Sequence, residues 1–235
     1  MNSTPEITIL IIYDGNYAAL VKCVKTWLNY SYKNINIVIG DTTKTHLKFD
    51  LPNVSVLEKH ISKTEMLNLL ISNTKTKYFL VTSMYVIPLE KTLHHLIATI
   101  VLNKNVAAVS PNITHAETSY FGTKVSENSY NTVITKDCVL IKKYDYDLIG
   151  EFDTNFKGVL EDVEWSVRAR KIGYNLAYCY YSKCNIIEIP NTSKFLETRS
   201  KFLMISLHDT KLNKFLAFSL GLINPFKWRA MFSAL

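Results

Sequence analysis

Residues 7–41 read ITILIIYDGNYAALVKCVKTWLNYSYKNINIVIGD, and their spacing sets the fold class. Ile7 to Tyr13 is a continuous apolar run rich in β-branched residues, the pattern of a strand buried on both faces. Asp14-Gly15-Asn16 supplies a turn. Beyond it, Leu20, Val21, Val24, Trp27 and Leu28 recur at helical spacing between Tyr17 and Tyr30. Ile35 to Ile39 is a second buried strand, ending at Gly40-Asp41. A strand–helix–strand unit of this kind predicts an α/β domain with a Rossmann-like, mostly parallel central sheet flanked by helices. Ligands of such sheets sit at the carboxyl ends of the strands.

The alternation continues outward from this unit. Strands are predicted at Val54–Leu57, Tyr78–Val81 and Val106–Val109, and helices at Lys63–Ser72 and Leu89–Leu102. Residues 112–131 are rich in Ser, Thr, Asn and Tyr and read as a loop or irregular strands. Thr132–Lys142 reads as a strand, Asp145–Gly150 as a short helix, and Leu160–Ile172 as a helix closed by Gly173. Leu176–Tyr181 and Asn185–Ile189 are two further strands. From Lys194 to Leu235 the chain is basic, apolar and mainly helical.

The totals fit this reading. A chain of 235 residues, 48% apolar, suffices for one large α/β domain, and 7 Gly with 6 Pro leave little room for linkers. A net charge of +7 favours anionic partners. The basic residues are scattered and form no DNA- or RNA-binding motif, so nucleic acid is not expected. The four cysteines form no C-x-x-C pair and read as reduced, mostly buried thiols. With no basic n-region ahead of the first apolar run, the expected location is the cytoplasm.

The chemistry concentrates in residues 149–174, IGEFDTNFKGVLEDVEWSVRARKIGY. Glu161, Asp162 and Glu164 fall in the first turn of the predicted helix, and Arg168, Arg170 and Lys171 in its last turns. The helix dipole favours that order, so a polarised surface helix is one reading. The other is a helix N-terminus facing a cleft, where a carboxylate accepts the proton of a hydroxyl nucleophile.

This block closely resembles the "iGgFDe.F....ED.Dl..R....Gy" block of family-2 glycosyltransferases, which have the GT-A fold. Three shorter segments agree: ITILIIYDGNYAALVKCVKTWLN with the family's first strand and helix, INIVIGDTTK with its second strand, and FLETRSKFLMI, containing Arg199, with the helix after the domain. The resemblance spans about residues 6–205. It implies a GT-A domain over 1–193, with a nucleotide-sugar half at 1–111 and an acceptor half at 112–193, followed by a helical extension at 194–235.

The resemblance also implies roles. Asp162 matches the catalytic base of an inverting transfer from a nucleotide-diphospho-sugar to an acceptor hydroxyl, on a glycan, lipid-linked or protein-glycan acceptor. Glu161 would hold the acceptor or orient Asp162. Tyr13 and Asp41 match the pocket for the nucleotide base, although Asp41 also suits a turn. Lys63 and Asn68 fall in the family's polar segment before the fourth strand, where Lys63 meets a phosphate or is a solvated helix start. Trp165 stacks on an acceptor ring or packs in the core.

The chain departs from the family at the end of the fourth strand. Ser83-Met84-Tyr85 stands where the family has D-x-D, whose carboxylates hold Mg²⁺ or Mn²⁺ across the diphosphate. Hydroxyls are poor ligands for a hard cation without a carboxylate. The family's His after the "Gy" element is missing too; Glu188 lies near its place. The expectation is an enzyme that is metal-independent or weakly metal-dependent, with no cofactor required and Mg²⁺ or Mn²⁺ left open despite the absent D-x-D carboxylates, in which Ser83 and Tyr85 contact the donor. The alternative is a catalytically degenerate GT-A domain that binds a nucleotide, a glycan or a protein. In the C-terminal segment, Phe215–Ile223 is apolar with Lys211, Lys214, Lys227 and Arg229 at its edges. It suits peripheral contact with an anionic membrane surface, packing on the domain, or pairing with a second copy.

Overall fold

A computed structural model describes residues 4–115, 133–187, 193–208 and 233. Among the described residues, eight strands form one mixed sheet in the order β3-β2-β1-β4-β7-β6-β8-β5. The strands are β1 (Ile7–Tyr13), β2 (Ile35–Asp41), β3 (Val54–Glu58), β4 (Tyr78–Thr82), β5 (Val86–Pro88), β6 (Val106–His115), β7 (Cys138–Lys142) and β8 (Asn175–Ile186). The helices are α1 (Tyr17–Asn29), α2 (Lys63–Ser72), α3 (Thr92–Leu102), α4 (Lys143–Ile149), α5 (Glu161–Lys171) and α6 (Lys194–His208).

The first half is the parallel part. β1 pairs with β2 and β4, and β2 with β3, all parallel. β7 then enters antiparallel to β4 and to β6, β6 pairs parallel with β8, and β5 lies antiparallel to β8.

Period-two alternation sorts the core onto two faces. Ile9 and Ile11 of β1 join Leu20, Val24 and Trp27 of α1 and Leu93 and Leu96 of α3. Leu10, between them, faces the other way, toward Met66, Leu70, Tyr146 and Trp165. On that second face α2 packs so close to β2 that a Cβ at Gly40 would meet Met66 Cγ at 2.5 Å. α6 adds a small third cluster, Phe202 and Leu203 against Phe156. Arg199 of α6 is buried and donates to the Asn155 carbonyl at 2.5 Å.

Several predicted boundaries change: the strand read at Thr132–Lys142 begins at Cys138 and the helix read at Leu89–Leu102 begins at Thr92. The two strands expected after Gly173 are one strand, β8, whose pairing with β6 shifts register between Cys179 and Lys183. That bulge turns Tyr180 and Tyr181 outward and breaks the alternation that would have joined the halves. β6 runs on to His115, into the stretch read as a loop. β5, three residues ending at Pro88, is too short to leave a pattern. Glu188 and the apolar stretch Phe215–Ile223 lie outside the described residues, among which no helix is long and apolar enough to cross a membrane.

Candidate active site

The site forms where three chain segments converge on the carboxyl ends of β1 and β4. They enclose a cavity of about 690 Å³ lined by Asp14, Lys63, Ser83, Tyr85, Lys136, Asp137, Lys157, Glu161 and Asp162, among others.

The acidic end of α5 forms one wall. Glu161, Asp162 and Glu164 are 2%, 8% and 3% exposed, so the charged first turn faces inward and is not a solvated helix face. The approach to α5 holds the left-handed region at three of four residues: Lys157 at φ 52°, Gly158 at 87° and Leu160 at 70°. Non-glycine residues held there cost about 1–3 kcal/mol each, a strain that collects at functional sites. Leu160 occupies the N-cap without a side-chain cap, so Asp162 Oδ1 accepts from its neighbour Val163 N at 2.9 Å instead.

Thr135-Lys136-Asp137 forms the facing wall. Lys136 N donates to Asp162 Oδ2 at 2.9 Å. Its Nζ pairs with Glu161 Oε1 at 2.7 Å and also donates to the Gly158 carbonyl. One residue thus fixes the carboxylate pair and the strained turn before it. Glu161 Oε2 is buried without a hydrogen-bond partner. Burial pushes Glu161 toward its protonated form, against the opposing pull of Lys136. Asp137 is raised as well, first by burial and then by the nearby Asp162 charge. Asp162 itself accepts one N–H at each oxygen, which leaves lone pairs for a substrate hydroxyl.

At the opposite rim, Tyr85 Oη donates to Asp14 at 3.2 Å from either carboxylate oxygen, and Lys63 Nζ lies 3.9 Å from Asp14 Oδ2. Ser83 N donates to the Asp137 carbonyl at 2.8 Å, which joins the two rims.

Of the sequence-predicted residues, Asp162, Glu161, Lys63, Ser83 and Tyr85 share this cavity. Tyr13 and Asp41 are neighbours in register across β1 and β2, but neither lines it. Tyr13 is buried with its hydroxyl on the Gly15 carbonyl. Asp41 has no exposed surface and accepts from Thr43 N, Thr43 Oγ1, Thr45 Oγ1 and Leu47 N. Burial alone would raise its pKa, but those hydrogen bonds together hold it below the ordinary value. Asn68 is also structural in its contacts, donating to the Phe152 carbonyl and accepting from Tyr146 Oη and Phe152 N. Trp165 is fully buried, stacked on Tyr146 with its indole N–H on the Gly150 carbonyl, and offers an acceptor no ring face.

Sequence reading missed Asp14, Lys136 and Asp137. β7 runs antiparallel to β4, so its first residue, Cys138, pairs with Thr82, and the residues just before it land at the carboxyl end of β4. The one local signal is a charged pair, Lys136-Asp137, abutting the buried run Cys138–Ile141.

No protein-family model matches the chain, and no curated protein matches it in sequence. Solved structures do. One is GalNAc-T7 with UDP, GalNAc and Mn²⁺, at 14% identity and a TM-score of 0.71, over 86% of this chain and 48% of that one. Another is the mannosyltransferase PcManGT from Pyrobaculum calidifontis in complex with GDP-Man and Mn²⁺, at 13% identity and a TM-score of 0.66, over 99% of this chain and 74% of that one. The chain therefore spans about half the length of the first. At these identities the likeness establishes the fold, and the chain has a GT-A-like α/β architecture.

Proposed function

We infer that this chain transfers a sugar from a nucleotide-diphospho-sugar to an acceptor hydroxyl, with inversion at the anomeric carbon and Asp162 as general base. One observation carries the reading: Asp162 stands in the cavity wall opposite the β1 and β4 ends, fixed by Lys136 N and Val163 N, with lone pairs left over. Asp162 takes the proton of the acceptor hydroxyl. The acceptor oxygen forms its bond to the anomeric carbon as the bond from that carbon to the diphosphate breaks. The electron pair leaves on the diphosphate, from the opposite face. Glu161 shapes the acceptor side with its unpaired oxygen. The GT-A-like fold shared with one complex holding GDP-Man and another holding UDP and GalNAc supports placing the donor at the strand ends.

Ser83-Met84-Tyr85 favours a second reading, a domain that binds the donor without turnover. A panel of UDP-, GDP- and CDP-sugars, assayed for hydrolysis and for transfer to simple glycosides with and without EDTA, separates the two. Turnover by the wild type that Asp162→Asn removes supports the enzyme. Donor binding with no turnover supports the binding domain.

A further inference from the structure

The two similar structures hold Mn²⁺, and the step at residues 83–85 is where the resemblance would put its carboxylates. The groups present there do not fit such an ion. Ser83 Oγ accepts from Tyr85 N, Met84 is 1% exposed, and Tyr85 Oη is given to Asp14. Mg²⁺ and Mn²⁺ favour carboxylate oxygens in octahedral sets. Among the described residues, no group of three His, Cys, Asp or Glu is arranged to hold an ion.

We propose that the Lys63 ammonium and the Tyr85 hydroxyl bind the donor's diphosphate directly, leaving Asp14 for phosphate oxygens when the donor arrives. This rests on the donor-binding reading above and specifies how its charge is met. Asp14, one residue beyond β1, gathers both groups at the rim of the cavity. Lys63 is the first residue of α2, whose amino end adds positive potential. The cavity's other cations are Lys157, on the strained turn, and Lys136, already paired with Glu161. Its anions are Asp14, Asp137, Glu161 and Asp162. A diphosphate entering among four carboxyl groups needs cations that are free to turn to it, and Lys63, 58% exposed, has that freedom. In this arrangement Asp14 is a place-holder that competes with the phosphate for the same donors.

The place-holder role makes Asp14 the diagnostic position. Asn at 14 keeps an acceptor for Asn16 N, so the turn is preserved. Calorimetric titration of the full chain with inorganic pyrophosphate, UDP and GDP, in EDTA and then in Mn²⁺, is the test. The wild type binds in EDTA, and Mn²⁺ leaves the affinity within about threefold. Lys63→Met weakens binding about tenfold and Tyr85→Phe about threefold to tenfold, as loss of hydrogen bonds to a charged group demands. Asp14→Asn tightens binding about threefold, since a like charge leaves the rim. Binding that requires Mn²⁺, or an Asp14→Asn variant that binds more weakly, overturns the proposal and leaves the donor reading standing. No binding of any of the three under either condition overturns both.

Discussion

The end of β2 and the start of α5 each bury a carboxylate, and they treat it in opposite ways. Asp41, at the end of β2, is met by two backbone N–H groups and two hydroxyls, and is held in its charged form. Glu161, at the start of α5, has one oxygen on Lys136 and the other on nothing, and is pushed toward its neutral form. The strand-end carboxylate completes a turn. The helix-start carboxylate is left incomplete, beside a cavity, on a strained approach. Burial, which the two carboxylates share, does not separate them; unfinished hydrogen bonding on the wall of the cavity does, since Asp145 is also buried with an oxygen lacking a hydrogen-bond partner but does not line the cavity.

The contrast can be broken first at Asp41. Asp41→Ala strands two backbone donors and two hydroxyls and should destabilise the protein by about 3 kcal/mol in denaturant titration. Glu161→Gln should leave stability nearly unchanged. Equal losses at the two positions would erase the distinction.

Lys136→Met sharpens it from the other side. The backbone N–H to Asp162 survives while the ties to Glu161 and the Gly158 carbonyl go. The expected result is a fall of about 10²-fold in kcat, the order lost when a catalytic group is displaced by about an ångström. Donor affinity should hold, and Arg at 136 should restore part of the rate. A change in KM alone would assign Lys136 to substrate binding.

The strained turn gives a smaller effect. An added Cβ at Gly158 meets nothing within 4 Å, so Gly158→Ala tests the left-handed backbone alone. It should cost about 1–2 kcal/mol.

The smallest change is one of pH dependence. Asp137 has a raised pKa, so the folded chain binds its proton more tightly than the unfolded chain does. Its contribution to stability is complete below the unfolded pKa and is lost as pH rises through the folded one. Asp137→Asn should therefore raise Tm at neutral pH, with the gain shrinking toward about pH 4, the ordinary carboxylate range. A gain that is equal at both pH values would contradict the assignment.

The sequence made legible what local pattern encodes. The apolar runs and helical spacings of residues 7–41 appear as β1, α1 and β2 with ends within a residue or two. The dense charge of residues 161–171 located α5, though only the folded chain shows that its acids face inward. What stayed hidden depends on pairing between distant segments. Lys136 and Asp137 reach the site because β7 runs antiparallel to β4, a choice that no local period records. Asn68 and Trp165 have types that suit a site, but both are absorbed into the Tyr146–Phe152 packing. Which buried polar groups are satisfied is a property of the assembled neighbours, not of spacing.

The most direct measurement is the transfer rate of Asp162→Asn beside its donor affinity. The amide keeps a carbonyl acceptor but cannot take a proton from a hydroxyl. The account predicts a rate at least about 10²-fold and up to about 10⁴-fold below wild type, the range that general-base catalysis supplies, with donor binding unchanged. A variant that transfers sugar at the wild-type rate would contradict it.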